Sequence, residues 1–454
     1  MVLPLLLLLL VLLVSPYSFA SSSQNLNRPG FLHHKALPAV DAAGPVLQNR
    51  PFTVVWNMPT ANCQKHHNIQ LDLDKFNIVE NKKERFQGER MTIFYRDRLG
   101  KYPYLSDDGR QVNGGLPQLG DLSTHLALTE TQLSVLLRPS FSGTAVIDWE
   151  EWQPLWESNL GSRMTYRRLS KLLVRQDRPD LEEEEVKRLA RQKFEESARS
   201  FMEETLRLAV KRRPKGFWGF YGFPSCFNKH KRKTDQTYTG HCHKGTRQMN
   251  DKLSWLWTQS TALYPSIYLP QRLAGSADAA LMVRHRLLEA LRVASNWRHG
   301  NKTVHATPVF PYARLAFTRS LNFLNQTDLE HTLGESASLG AAGVVLWGEM
   351  KFAKSRQQCV LLKNYVHGTL GPFVRSLSSD TRRCSIQRCH GNGRCARRRP
   401  GFGLRLSSAS GRASDPPEAD GSGSGRYFHR HFVCRCFPGW TGPECHEGSG
   451  QNHS

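Results

Sequence analysis

The chain has 454 residues and carries 62 Lys and Arg against 39 Asp and Glu, for a formal net charge of +23 and a pI near 9.8. Because 39% of the residues are hydrophobic and 10% are aromatic, the chain can bury a sizeable core, and wholesale disorder is excluded. The charge predicts attraction to a polyanion, namely nucleic acid, an anionic membrane surface or an acidic polysaccharide.

The first 20 residues form an apolar run that ends in small residues, the pattern of a secretory signal peptide. Ser18 and Ala20 suit cleavage after Ala20, but no Lys or Arg precedes the run, so an uncleaved signal anchor is the alternative. No second apolar stretch approaches the roughly 20 residues that span a bilayer, so we expect no transmembrane anchor in the mature chain. We therefore predict secretion, which argues against nucleic acid as the partner.

Seven short apolar runs between about residues 48 and 375 are typical of buried parallel strands, and helical patterns separate them. The predicted strands are 53–56, 91–95, 145–150, 217–222, 266–270, 309–317 and 343–348. The clearest helix is predicted over 181–210, with Glu182 to Glu185 in its first turn and Lys211 and Arg212 closing it. This alternation predicts an α/β fold with a parallel sheet, either doubly wound or closed as a barrel.

The C-terminal ends of the predicted strands favour the barrel, because (β/α) barrels collect their chemistry at that rim. Six of the seven strands end in aromatic or acidic residues, which are Tyr95, Asp148 with Glu150, Tyr221, Tyr268, Tyr312 and Trp347. A doubly wound sheet would focus its site on one switch point, and no G-x-G-x-x-G or P-loop follows the first strand. Core packing is the alternative explanation for the aromatic residues.

Asp148 and Glu150 give the strongest local signal, in the segment FSGTAVIDWEEWQPLW. On a strand, a spacing of two puts both side chains on one face with Cα atoms about 6.6 Å apart, so the carboxyl groups can come within hydrogen-bonding reach. One of two such carboxylates keeps its proton above its ordinary pKa, as a glycosidase acid requires. Trp149 and Trp152 would form an apolar wall or a sugar-stacking surface, and Glu151 would pair elsewhere. A solvated acidic turn is the alternative.

Other kinds of catalytic site find less support in the sequence. His33-His34 and His66-His67 lack recognisable metal-ligand spacing, and no G-x-S-x-G motif for a serine nucleophile is present. We therefore expect neither a metal ion nor a cofactor.

Ten cysteines, an even number, agree with an oxidising compartment. Six of them crowd the C-terminal region with the spacing C-x4-C-x5-C-x38-C-x-C-x8-C, which ends in GWTGPEC and resembles an epidermal-growth-factor-like (EGF-like) module over 379–447. A Gly/Ser/Arg-rich insert at about 400–426 lengthens its third gap, and a tail follows over 448–454. The resemblance implies the disulfides Cys384–Cys395, Cys389–Cys434 and Cys436–Cys445. A zinc site is the alternative use of these cysteines.

Three Asn-x-Ser/Thr sequons, at Asn301, Asn325 and Asn452, are candidate glycosylation sites in a secreted chain. Such sequons also arise by chance, so the sequence does not say which of them carries a glycan.

Four ordered segments, VIDWEEWQP, WGFYGFPSC, QSTALYPSIYLP and LGESASLGAAGVVLWG, closely resemble the vertebrate-type hyaluronidases, and the match runs from about residue 48 to 447. The resemblance implies a distorted TIM-like barrel of about seven strands, assigned to 48–378 after an N-terminal segment at 21–47. It implies the body disulfides Cys63–Cys359 and Cys226–Cys242. It also implies retaining hydrolysis of β-1,4 bonds after N-acetylglucosamine in hyaluronan, in which the substrate's own acetamido oxygen attacks the anomeric carbon.

The same resemblance implies a role for each rim residue. Glu150 matches the acid/base, and Asp148 shares its proton and orients the acetamido group, to which Tyr268 donates. Tyr221 and Trp347 match residues that shape the pocket before the cut. Tyr95 and Tyr312 match substrate-lining positions.

Gln153 departs from the family pattern, which often has Arg there to meet a substrate carboxylate. A basic loop between Cys226 and Cys242 could compensate, or could simply be solvated; its cations are Lys229, Lys231, Arg232 and Lys233. We expect a monomer that binds hyaluronan, with chondroitin as a second substrate and the lysosome as an alternative to secretion. A non-catalytic hyaluronan-binding or adhesion protein on the same scaffold is the competing hypothesis.

Overall fold

The computed structural model describes residues 50–228, 237–297, 306–400, 405–406 and 422–448. Several predicted features lie outside these described residues. They are the signal peptide, the 21–47 segment, the four cations of the basic loop, the sequons at Asn301 and Asn452, and most of the insert and tail.

Short strands form the centre of the fold, and those of the two parallel sheets in the main body are buried on both faces. In the described residues the strands are β1 (Thr53–Asn57), β2 (Ile78–Val79), β3 (Met91–Tyr95), β4 (Tyr104–Leu105), β5 (Gln111–Val112), β6 (Thr144–Asp148), β7 (Phe217–Phe220), β8 (Tyr312–Arg314), β9 (Gly343–Trp347), β10 (Gly393–Arg397), β11 (Phe432–Cys436), β12 (Trp440–Thr441) and β13 (Glu447–Gly448). Val, Ile and aromatic residues dominate the body strands, as a pleated and buried surface favours.

Apart from the short antiparallel pair β4–β5, the body strands pair in parallel in the orders β2-β1-β9-β8 and β3-β6-β7. Single-residue bridges link the two sheets through the segment 263–266. On one side Leu263 pairs with Val309 and Ser266 pairs with Tyr312. On the other side Tyr264 pairs with Tyr221. The segment 263–266 therefore occupies a strand position between β8 and β7.

Side chains alternate between two faces along each strand, as the period of two requires. Val55, Ile93, Val146 and Val345 belong to one compact buried cluster. Their sequence neighbours, such as Val54, Phe94, Ile147 and Leu346, belong to a larger cluster that also contains the helices' apolar residues.

Helices connect and cover the strands. In the described residues they are α1 (Ala61–His67), α2 (Leu122–Leu136), α3 (Met164–Asp177), α4 (Glu183–Arg212), α5 (Thr246–Asp251), α6 (Ser254–Gln259), α7 (Ala277–Asn296), α8 (Gln326–Leu329), α9 (Glu335–Ser338), α10 (Arg356–Tyr365), α11 (Gly371–Cys389) and α12 (Ser422–His431). The predicted helix at 181–210 is α4, which buries Val186, Phe194 and Phe201 and ends in Lys211 and Arg212 as expected.

The predicted α/β alternation is confirmed, and five of the seven predicted strands are β1, β3, β6, β7 and β9. The predicted strand at 266–270 is wrong, and that at 309–317 shrinks to β8. Pro265, Pro308 and Pro311 have no N–H to donate, which breaks the ladder into the single bridges described above.

Five disulfides link the described residues, and they are the five pairs that the resemblances imply. Cys63–Cys359 ties α1 to α10 across 296 residues of sequence. Three disulfides hold the C-terminal region around the antiparallel pair β10–β11. Among the described helices, none is both long enough and apolar enough to cross a bilayer.

Candidate active site

The C-terminal ends of the body strands bring polar side chains to one level of the inner face. Two residues after the buried Val55, Ile93, Val146 and Val345 come Asn57, Tyr95, Asp148 and Trp347. Strand register pairs Asn57 with Trp347, and Tyr95 with Asp148. Because these four positions share one parity, they lie on the same face at the same edge.

Asp148 is the acidic centre of this level. One carboxyl oxygen, Oδ1, is buried and has no hydrogen-bond partner. Burial, followed by the negative charges of Glu150 and Glu151, raises the pKa of Asp148 from 3.8 to about 8. Asp148 is therefore a neutral carboxylic acid at mildly acidic and neutral pH, able to donate one proton.

Glu150 stands on the wall of a cavity of about 880 Å³. Much of the side chain is open to solvent through the cavity, yet the surrounding protein atoms partly desolvate the carboxyl group. This burial raises the pKa of Glu150, against the opposing charge of Arg163. Arg163 also fixes the backbone, because its Nε and Nη2 donate to the Glu150 carbonyl oxygen at 2.9 and 2.6 Å.

The predicted strand at 145–150 is shorter in the structure, because β6 ends at Asp148 and Glu150 lies beyond its end. In the described part of the chain no hydrogen bond joins the two carboxyl groups, and they interact through charge.

Three tyrosines from the next strand positions pack beside Asp148. The Tyr221 ring lies 5.9 Å from Tyr268 and 5.0 Å from Tyr312, measured between centroids. Burial raises the pKa of Tyr221 to about 12 and that of Tyr268 well above its usual range, so both hydroxyls stay protonated donors. Tyr312 donates to Asn57 Oδ1 at 3.3 Å.

Trp347 and Tyr95 complete the predicted group. The Trp347 indole Nε1 donates to the Tyr95 hydroxyl at 3.1 Å, and its ring stacks on Tyr268 at 6.0 Å. The structure therefore brings six of the seven predicted site residues to one end of the strands, with Glu150 on the cavity side. Tyr312 was predicted at a strand end, but it begins β8, pairs with Val345 and is fully buried, so it lies in the layer beneath the site.

Two residues at this level were not predicted from the sequence. Asn57 was missed because the first predicted strand stopped one residue short of it. Arg314 pairs in register with Trp347, lies 5.3 Å over that ring and 5.8 Å over the Tyr268 ring, and forms an ion pair with Glu349 at 2.8 Å. A charged residue inside an apolar strand was its only signal.

The other residues of the acidic segment have different surroundings. Glu151 pairs with Arg96 at 2.6 Å, as predicted. Trp152 is 2% exposed and stacks on Tyr102, so it belongs to the core and offers no surface to a sugar. Trp149 is also buried but reaches the cavity wall, where it forms part of an apolar lining.

Gln153 lines the same cavity, and its backbone is held by Asn159 through two hydrogen bonds. Asn325, the one sequon within the described residues, is exposed and caps α8 by accepting from Asp328 N at 2.9 Å. Among the described residues, no group of three or more His, Cys, Asp and Glu side chains is placed to hold a metal ion.

Comparisons with known proteins match nearly the whole chain. The glycoside hydrolase 56 family, described as hyaluronidase, matches residues 41–449. Human hyaluronidase-3 is 44% identical over 403 residues, covering 89% of this chain and 92% of the relative. Human hyaluronidase-1 is 42% identical over 422 residues, covering 89% and 94%.

The fold has a close structural counterpart. The crystal structure of bee venom hyaluronidase in complex with a hyaluronic acid tetramer is 34% identical and has a TM-score of 0.65, covering 72% of this chain and 99% of that one. The α/β architecture is shared, and the extent of the family match decides the classification. The chain belongs to the hyaluronidase family of glycoside hydrolases.

Proposed function

We propose that the protein is an endoglycosidase that hydrolyses the β-1,4 bonds between N-acetylglucosamine and glucuronate in hyaluronan. The observation that carries this proposal is Glu150 on the wall of the large cavity, beside Asp148, whose Oδ1 is buried and whose charge interacts with Tyr221 and Tyr268. Family membership and the relative that binds a hyaluronic acid tetramer support the choice of substrate.

Glu150 is the general acid and then the general base. Its raised pKa keeps a protonated fraction available at mildly acidic pH, and that proton passes to the glycosidic oxygen as the bond to the anomeric carbon breaks. The resulting carboxylate then takes a proton from water as the water attacks the same carbon.

The substrate supplies the nucleophile. Its acetamido oxygen attacks the anomeric carbon and is displaced by water in the second step, so the configuration is retained. Asp148 is too deeply placed to be that nucleophile and instead orients and polarises the acetamido group, with Tyr268 as hydrogen-bond donor. Because the Asp148 carboxyl group is neutral, it adds no negative charge beside Glu150.

The aromatic residues shape the sugar-binding surface. Tyr221 and Trp347 hold the sugar that precedes the cut, and Tyr95 lines the polymer's path. Each of these three has a protonated hydroxyl or an aromatic face to offer, which suits a sugar's alternating polar and apolar surfaces. Tyr312 is 0% exposed, so it supports the site from within the core and does not contact the polymer.

The strands form a distorted barrel over residues 48–378 in this proposal. The strand order leaves β2 and β3 at its two edges, and side chains span that gap. Asn81 Nδ2 donates to the Met91 carbonyl oxygen at 2.8 Å, and Gln87 Nε2 donates to that of Ile93 at 2.6 Å. These bonds replace a regular ladder, which accounts for the distortion.

The proposal extends to the C-terminal region, the location of the protein and a second substrate. Residues 379–447 form an EGF-like module, which the three local disulfides and the β10–β11 pair support. The mature protein is a secreted or lysosomal monomer, consistent with its five disulfides. Chondroitin, which resembles hyaluronan in its alternating uronate, is a second substrate.

The test is the release of reducing ends from hyaluronan and from chondroitin by wild type and by Glu150→Gln, followed by sizing of the products. Loss of the general acid should lower kcat by about 10²–10⁴-fold. Glu185→Gln, which neutralises an exposed acid on α4, is the matched control and should retain full activity. Equal cleavage by Glu150→Gln would refute the assignment, and hyaluronan binding without any fragments would favour a non-catalytic binding protein.

A further inference from the structure

A second cavity, of about 350 Å³, lies at the opposite end of the strands from Glu150. Val309 and Ala342, which precede β8 and β9, form its body side, and the C-terminal region forms the other side. From Ala342 to Trp347 the chain advances roughly 16 Å along β9, so this cavity is separate from the site described above. Its volume lies at the small end of ligand sites, which run from about 300 to 1,000 Å³.

Two arginines face each other at this cavity. Arg394 and Arg435 are register partners in the antiparallel pair β10–β11, and both line the cavity. Like charges directly opposite each other on a sheet destabilise it unless an opposite charge lies between them. None of the described residues that line the cavity is acidic.

Neither guanidinium group forms an ion pair with an acid in the described part of the chain. Arg394 donates through Nε to the Pro51 carbonyl oxygen at 2.7 Å and lies 4.9 Å over the Phe437 ring. Arg435 Nε is buried without a partner, against Gly340, where a Cβ atom would lie 3.0 Å from it.

Burial and the neighbouring Arg435 lower the pKa of Arg394 to about 10, and burial lowers that of Arg435. Both groups therefore stay positively charged at neutral pH. Both side chains are half-buried and have no acidic partner among the described residues, which favours a bound anion, and their planar N–H forks match a carboxylate or sulfate group.

We propose that this cavity binds an oxyanion, namely the carboxylate or sulfate group of an acidic saccharide. Arg394 and Arg435 supply the charge, and Trp440, Thr441 and Ser295 at the cavity wall supply an aromatic face and hydroxyl groups for the attached sugar. The anion links the body to the C-terminal region, since residues of both line the cavity.

The test measures thermal unfolding of the full chain with sodium sulfate, sodium glucuronate or neutral N-acetylglucosamine, at constant ionic strength set with sodium chloride. Sulfate or glucuronate should raise Tm saturably by several degrees, and N-acetylglucosamine should not. A shift with glucuronate alone assigns the site to a sugar acid, and a shift with both assigns it to oxyanions in general. No saturable shift with either would overturn the proposal.

Arg435→Gln should abolish the saturable shift, and Arg398→Gln, which removes an exposed arginine next to β10, should keep it. Without anion at low ionic strength, Arg435→Gln should melt at or above the wild-type temperature, because it removes a like-charge pair. A merely structural arginine would instead lower Tm when replaced. An equal anion-dependent shift in both variants would refute the site.

A measurement on the wild-type chain covers the case in which Arg435→Gln fails to fold. Phenylglyoxal labels accessible arginines, and peptide mass spectrometry reads each position. Sulfate or glucuronate should protect Arg435 but not Arg398, and equal labelling with and without anion would contradict the proposal. Glu150→Gln should retain the Tm shift, so failure of catalysis and failure of this site are distinguishable.

Discussion

Asp148 illustrates at the scale of one residue how the fold sets the chemistry of a carboxyl group. The inner face at the end of β6 removes water from the side chain and leaves Oδ1 without a partner. Burial and two neighbouring acids raise its pKa to about 8. The same surroundings that prepare a proton for the substrate therefore penalise the ionised form of the folded protein.

The sign of that penalty predicts a pH dependence of stability. The folded-state pKa is about 8 and the ordinary value is 3.8, so the native state binds the extra proton between these pH values. The contribution of Asp148 to the unfolding free energy should then fall as pH rises from 4 towards 8. Asp148→Asn cannot ionise, so its stability relative to wild type should increase by roughly 1–5 kcal/mol across that range. Urea unfolding at both pH values measures it.

The control for this experiment is Asp180→Asn. Asp180 is an exposed acid whose pKa is lowered by its hydrogen bond from Arg178, so its contribution has the opposite sign. Its difference from wild type should not increase in favour of the variant as pH rises. If Asp148→Asn behaves like this control, then Asp148 is ionised in the native state and the assigned role is wrong.

The sequence could predict much of this site because strand ends and a period of two are local features. Tyr95, Asp148 and Trp347 follow directly from them. Arg314 could not be predicted in this way, since its position over Trp347 and its pairing with Glu349 depend on which strands become neighbours. No single segment of the sequence determines which strands become neighbours.

At the scale of elements, prolines explain the errors in the predicted strands. Pro311 lies within the predicted strand 309–317 and Pro265 directly precedes the predicted strand 266–270, and the two segments do run side by side. Tyr312 N donates to the Pro265 carbonyl oxygen at 2.8 Å, and Ile267 N donates to that of Tyr312 at 2.9 Å. Composition predicted that these segments are neighbours of the sheet, but it misplaced the first of them, which bridges its neighbours over 263–266, and the missing proline donors prevent a regular ladder.

Asn81 is the element-scale feature with the clearest energetic consequence. Its side chain is 2% exposed and makes four hydrogen bonds that hold the segment after β2 against the start of β3. Nδ2 donates to the carbonyl oxygens of Arg85 and Met91, and Oδ1 accepts from the N–H groups of Arg90 and Met91. If the side chain were removed, these backbone N–H and carbonyl groups would lose these partners. They lie at the junction between β2 and β3, two strands that no described ladder joins.

We therefore expect Asn81→Ala to lower the unfolding free energy by about 2–4 kcal/mol, the cost of leaving several buried backbone groups without partners. Chemical denaturation followed by tryptophan fluorescence measures the change. Asn322→Ala, at an exposed position, is the control and should shift stability by less than about 0.5 kcal/mol. A similar small effect for both substitutions would mean that Asn81 does not support the junction between β2 and β3.

For the whole molecule, the net charge of +23 coexists with a reaction centre made of acids. Many basic side chains are exposed and attract a polyanion through long-range electrostatic interactions. Asp148 and Glu150 instead interact at close range, where protein atoms exclude much of the water. Salt screens the first kind of interaction far more than the second. The two contributions can therefore be separated by ionic strength.

Raising ionic strength from about 0.01 to 0.15 M shortens the screening length from about 30 to 8 Å, so the KM for hyaluronan should rise about 3–10-fold. The kcat should stay nearly constant, because proton transfer from Glu150 occurs within the site. Initial rates at fixed pH measure both constants. Hyaluronan with methyl-esterified carboxylates is the control, and its KM should depend little on salt. If salt lowered kcat instead, or affected both polymers equally, the excess charge would act on the catalytic step or on folding rather than on capture of the polyanion.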